Sequence, residues 1–120
     1  MSAPAKLRTC LQTLRSAAAD VQAFTAGLEG IDLAALPEAD RRTYRALSGA
    51  LMEIAELAAT LPVELRARHP AVDWRGWIGL RDLLLADGLR REMSRLGPCV
   101  EHDLPTLLTT IHAEIERLGA

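Results

Sequence analysis

A chain of 120 residues with 49% hydrophobic content has the length of one domain, residues 1–120, and enough apolar side chain to bury a core. Its 21 Leu and 20 Ala, against 3% aromatics, favour helices in close approach and disfavour a β architecture, which draws on Val, Ile, Thr and aromatic residues. A net charge of −2 excludes a global basic field of the kind that gathers nucleic acid.

Leu7, Leu11, Leu14, Ala18, Val21 and Leu28 recur at three- and four-residue steps, which predicts a first helix from about Pro4 to Leu28. Gly27 to Leu36 reads as a connection, because it holds Gly27, Gly30 and Asp32. Pro37 suits a helical first turn, so a second helix is expected from Pro37 to Thr60. Its apolar stripe is Tyr44, Leu47, Leu51, Ile54, Ala58 and Leu61. Pro62 ends it, and a short helix to Arg68 stops before His69-Pro70. Asp73 is placed to cap a helix that starts at Trp74 and carries Trp77, Leu80 and Leu84. That helix is expected to reach Ala86, with Leu89, Met93 and Leu96 able to continue its step. Gly97-Pro98 reads as a stop. The last helix is expected from Pro98 to Leu118 on a seam of Leu104, Leu108, Ile111, Ile115 and Leu118. Pro105 should disturb it, since proline lacks a backbone donor. The fold class that follows is all-α, an antiparallel four-helix-type bundle with short extra helices.

Chemistry-bearing residues are sparse. Residues 66–95 hold seven Arg against four acids, a local excess that suits a phosphate, an acidic partner or plain solvent. His69, His102 and His112 stand apart from one another and read as packing or surface residues. Glu53 and Glu56 share a helix, but no Glu-x-x-His motif accompanies them, so no metal is expected. No glycine-rich phosphate loop or serine elbow is present, and no cofactor is expected. Trp74 and Trp77 could stack on bases, but such a pair more often serves a core or a dimer interface. Cys10 and Cys99 have no metal or redox spacing and read as small hydrophobes in a reducing compartment. The opening MSAPAKLRTC has no apolar signal core, and no apolar run is long enough to span a bilayer, so the expected location is cytoplasmic.

One combination is more specific. Arg68-His69-Pro70, Trp74-Arg75, Gly79-Leu80-Arg81 and Asp103-Leu104-Pro105 occur in this order, behind Ile54-Ala55-Glu56-Leu57-Ala58. Over residues 54–107 the chain resembles the HepT-like family, helical ribonuclease-type toxins paired with MntA-like nucleotidyltransferase antitoxins. The resemblance implies a homodimer with the motif helices facing each other. It also implies a metal-independent nuclease in which the arginine, here Arg81, holds phosphate and a histidine acts as acid or base. A tyrosine two residues beyond that histidine is the acceptor that the antitoxin adenylylates.

This chain departs from that pattern at the reacting positions. The histidine position is Ala86 and the tyrosine position is Gly88. The asparagine after the arginine is Asp82, a carboxylate that competes with phosphate for Arg81. Arg81, Asp82 and Asp87 are therefore the catalytic-motif remnants. A positioned acid–base is worth about 10²–10⁴ in rate, so weak or absent RNA cleavage is expected. The leading expectation is a non-catalytic homodimer that binds a nucleotidyltransferase-like protein. The alternatives are an active metal-independent endoribonuclease with Arg81 and a relocated acid–base, and an interaction bundle with no toxin link. Arg81 is expected in an ion pair with Glu56, Asp82 or Asp87.

Overall fold

The computed structural model describes residues 2–119, and among them there is helix and no strand. Helix α1, Ala3–Thr25, is capped by Ser2, whose hydroxyl accepts from the Ala5 amide at 3.2 Å. It presents Leu11, Leu14, Ala17, Ala18 and Val21 to the core, all essentially inaccessible to solvent. Helix α3, Arg41–Thr60, packs alongside it through Tyr44, Leu47, Leu51, Ile54 and Ala58. The alanines in both stripes let the two helices approach closely.

The segment between them differs from expectation. Gly27–Leu36 is not a plain connection, because residues Gly30–Ala39 form helix α2 with Leu33, Leu36 and Pro37 buried. The Glu29 amide donates to the Asp32 carboxylate at 3.2 Å, which caps the start. Nor does the long helix begin at Pro37. Asp40 breaks the chain at φ −146° and ψ 82°, and its carboxylate accepts from the Thr43 amide and hydroxyl at 3.1 and 2.6 Å. An aspartate N-cap, not a proline at the first helical position, sets the boundary.

Pro62 is a true boundary. Helix α3 ends at Thr60, and helix α4, Val63–Arg68, starts beyond the proline. Asp73 then caps helix α5, Trp74–Leu85, by accepting from the Gly76 amide at 3.0 Å. Trp77 is buried in the core, while the Trp74 indole N–H donates to the carbonyls of Arg66 and His69, both at 3.0 Å. One tryptophan packs and the other pins the corner before it.

Helix α5 does not continue through Gly88. Asp87 is left-handed at φ 52°, and residues Gly88–Arg95 form a 3₁₀ stretch that bends at Glu92. Leu89 and Met93 still reach the core from it. Gly97-Pro98 is likewise not the stop. Helical backbone already begins at the short α6, Leu96–Pro98, with the proline in its first turn, where no donor is missed.

The disturbance expected at Pro105 takes a definite form. Residues Cys99–Asp103 make one wide π turn, in which the Leu104 amide donates to the Cys99 carbonyl. Helix α7, Leu104–Arg117, then runs with Leu104, Leu107 and Ile111 fully buried. Its core seam thus includes Leu107, while Leu108 and Ile115 are only half-buried.

The long helices sit in the order α7, α1, α3, α5, with α2 against α3 and the 3₁₀ stretch. This leaves α5 at one margin of the bundle, with its outer face and the 3₁₀ stretch open to solvent.

Candidate functional site

The motif region lies where α5 turns into the 3₁₀ stretch. Arg75, Gly79, Asp82, Ala86, Gly88 and Arg91 border an open groove of about 700 Å³ there. Along α5, residues 75, 79, 82 and 86 repeat at helical spacing, which puts them on one face. Glu92 and Arg95 close the groove and pair with each other at 2.8 Å.

Arg81 is elsewhere. Five residues at about 100° each put it roughly 140° around the helix from Ala86. It is exposed and does not border the groove. The ion pair expected with Glu56, Asp82 or Asp87 is not formed: among the described residues Arg81 is in no salt bridge within 4.0 Å. Helical phase sets Arg81 about 40° from Trp77 and about 60° from Ile78, on the side of α5 away from the groove, and its side chain there is exposed. Asp82 borders the groove without a salt-bridge partner among the described residues. Within one chain, the arginine and the vacated histidine position do not converge.

Asp87 has a different occupation. Its carboxylate accepts from the Tyr44 hydroxyl at 2.7 Å and from the Arg90 guanidinium at 3.1 Å. Arg90 also pairs with Glu38 of α2 at 2.7 Å, and its guanidinium carbon lies 5.0 Å from the centre of the Tyr44 ring. The hydrogen bond from Tyr44, followed by that from Arg90, holds the Asp87 carboxyl below its ordinary range. Burial, then the bond to Asp87, raises the Tyr44 hydroxyl above its ordinary 10.0.

The chain's only tyrosine therefore anchors the loop between Ala86 and Gly88 from the far side, with 3% of its surface exposed. Sequence reasoning placed Tyr44 as a stripe residue and could not see this bond, which spans 43 positions. Two measurements read it. Spectrophotometric titration should show tyrosinate forming above pH 10.0, with no second tyrosine to confuse the signal. Tyr44→Phe should cost about 1 kcal/mol in denaturant unfolding, the value of one such hydrogen bond, and an unchanged midpoint would contradict the anchor.

Gly88 is locked into this arrangement. A Cβ at that position would lie 2.6 Å from Leu83 Cδ1 and 2.9 Å from the Leu83 carbonyl oxygen. Backbone cannot yield as a side-chain tip can, so Gly88→Ala is expected to cost about 1–3 kcal/mol. Thermal unfolding of the variant checks this; a midpoint equal to that of the parent would show that the loop re-forms freely.

The histidines do not gather at the groove. His69 lies at the opposite connection, with Nε2 2.6 Å from Oε2 of Glu114, while Oε1 of the same carboxylate takes Arg68 at 2.7 Å. His102 is on the π turn and His112 on the outer surface of α7, both exposed. Glu114 was missed by sequence reasoning. It sits at a core position of α7, 4% exposed, and carries no motif of its own. Burial pushes its carboxyl up, but the bonds and charges of Arg68 and His69 outweigh that, and the net displacement is downward. The Arg-His-Pro corner is thereby explained as structure: both of its side chains grip one buried carboxylate.

A family model described as ribonuclease HepT-like matches residues 14–113. The chain belongs to the HepT-like family. The match reaches beyond residues 54–107 at both ends, so the amino-terminal helices share the HepT-like pattern as well. No solved structure matches the chain. No described helix of this HepT-like protein is long and apolar enough to cross a membrane.

Proposed function

We propose that this HepT-like protein is a non-catalytic relative of the ribonuclease toxins, a homodimer that binds an MntA-like nucleotidyltransferase. The observation that carries the reading is the motif itself: Ala86 and Gly88 offer no proton donor or acceptor in the groove, and Arg81 turns away from it. Asp82, which stands beside Arg81 where the family has asparagine, repels an RNA backbone. Asp87 is engaged by Tyr44 and Arg90 and is not available as a base. Binding by surface complementarity remains open to the chain, through the Arg-rich 66–95 region.

Co-expression with an MntA-like nucleotidyltransferase and labelled ATP tests the reading. A stable complex without label on this chain is the expected result. AMP on Tyr44 would overturn the loss of modification, and failure to co-purify would overturn the partner. Light scattering at micromolar concentration should return a dimer mass; a clean monomer would count against the homodimer.

A further inference from the structure

A second cavity lies beneath the 3₁₀ stretch, between α5 and the π turn, with a volume of about 280 Å³. Its apolar wall is made by Leu51, Trp77, Leu80, Leu89, Leu96 and Cys99. That volume exceeds the roughly 150 Å³ of a dry cavity that admits benzene, and approaches the lower bound of small-molecule sites at about 300 Å³. It suits a body the size of one side chain, not a segment of polypeptide.

The two irregular backbone segments both border this space. The 3₁₀ stretch supplies Leu89, Glu92 and Arg95, and the π turn supplies Cys99 and Asp103. Long 3₁₀ runs and π turns are costly conformations that gather at functional places.

The charged rim selects a sign. Glu92 and Arg95 neutralise each other. Asp73 uses one carboxylate oxygen to cap α5, while the other lies over Gly76, itself a wall residue. Asp103 is exposed, and no salt bridge within 4.0 Å involves it among the described residues. The remaining rim charge is negative, from Asp73 and Asp103. Its field reaches the wall: the Cys99 thiol is pushed up to about 12, by burial first and by Asp103 second. A protonated thiol adds apolar lining and no anion of its own. Trp77 adds an indole to the apolar wall.

We propose that this cavity binds a small organic amine, its apolar body against Trp77 and Leu80 and its ammonium group at the rim beside Asp103. The cavity adjoins the groove that contains Ala86, with Leu80, Glu92 and Arg95 common to both, and binding there does not depend on whether the chain cleaves RNA.

Calorimetric titration of the full chain with hexylamine, hexanol and hexanoate separates the contributions, because the three share a tail and differ only in head group. Hexylamine should bind about tenfold more tightly than hexanol, the worth of one hydrogen bond to a charged group. Hexanoate should bind most weakly. Asp103→Asn, at an exposed position, should remove most of the amine preference and leave hexanol unchanged. Leu80→Phe, checked for helical circular dichroism, should fill the cavity and abolish all three. Equal binding of amine and alcohol, or a preference for hexanoate, would overturn the cation assignment. Absence of binding, or titration unchanged in both Leu80→Phe and a second filling variant, Cys99→Met, would overturn the cavity.

Discussion

Glu114→Ala should unfold more easily than the parent by about 1.5–3 kcal/mol, the worth of hydrogen bonds to a charged group, because Arg68, 37% exposed, can turn to water once the carboxylate is gone. Glu114 is 4% exposed and accepts at 2.7 Å from Arg68 and at 2.6 Å from His69. Truncation leaves both side chains facing a cavity that contains no carboxylate. Against a total stability of about 5–15 kcal/mol for a domain of this size, the loss is a large fraction. Because the carboxylate ties α7 to the connection between α4 and α5, the variant should also expose the Trp74 corner, and indole emission should shift to longer wavelength before global unfolding.

The same carboxylate predicts a pH dependence. Its folded pKa lies below the ordinary value of 4.5. A depressed carboxyl contributes stability that is fully present above the unfolded-state value and is lost as pH falls through the folded one. Unfolding free energy should therefore decline on acidification below about pH 4.5, and Glu114→Gln should decline less steeply over that window. Parallel profiles for the two proteins would remove Glu114 as the cause.

What the sequence made legible depended on range. Local periodicity places the stripes of α1 and α3, because burial of Leu11, Leu14, Leu47 or Ile54 needs only a helical repeat on one face. The caps at Asp73 and the break at Pro62 are equally local. The errors arise where two local signals compete. Gly30 and Pro37 signal a turn and a first helical turn, whereas the cap that starts α2 is a glutamate, Glu29, which is outside the usual N-cap residue types. Gly97-Pro98 outvoted the continuous helical backbone of α6, because proline in a first turn and proline after a helix end look alike in sequence.

The site was legible as a set of positions but not as a geometry. Family resemblance located Ala86 and Gly88, yet the partners that give the region its shape are distant in the chain. Tyr44 reaches Asp87 from α3, and Glu38 reaches Arg90 from α2. Glu114, the most buried acidic side chain among the described residues, gave no warning at all, because a lone glutamate in a helical repeat is ordinarily a surface residue. Only contact with Arg68 and His69 reveals why it is inside.

RNA cleavage by the chain as written should lie about 10²–10⁴-fold below that of an Ala86→His/Asp82→Asn variant, if the loss of a positioned acid–base and the added carboxylate are what silence it. Ala86 is exposed at the end of α5, in the groove, so a histidine side chain has room there. Restoring the tyrosine position is not part of this test, since any Cβ at Gly88 meets the Leu83 carbonyl. Ala86→His alone should give little, because groups that act as a unit are strongly non-additive and Asp82 would still oppose the phosphate. A fluorogenic RNA substrate in chelator gives the measurement, with Arg81→Ala added to each protein. Arg81 faces away from Ala86 within one chain, so a gain that depends on Arg81 would mean that a second protomer brings the two residues together. In that case, a mixed dimer with Arg81→Ala and the restored histidine on the same protomer, and an intact Arg81 with Ala86 on the other, should keep one working site, whereas Arg81→Ala on one protomer and the restored histidine on the other should leave none. Robust metal-independent cleavage by the unmodified chain, abolished by Arg81→Ala, would instead overturn the non-catalytic reading and return attention to His69 and His102 as the proton donor.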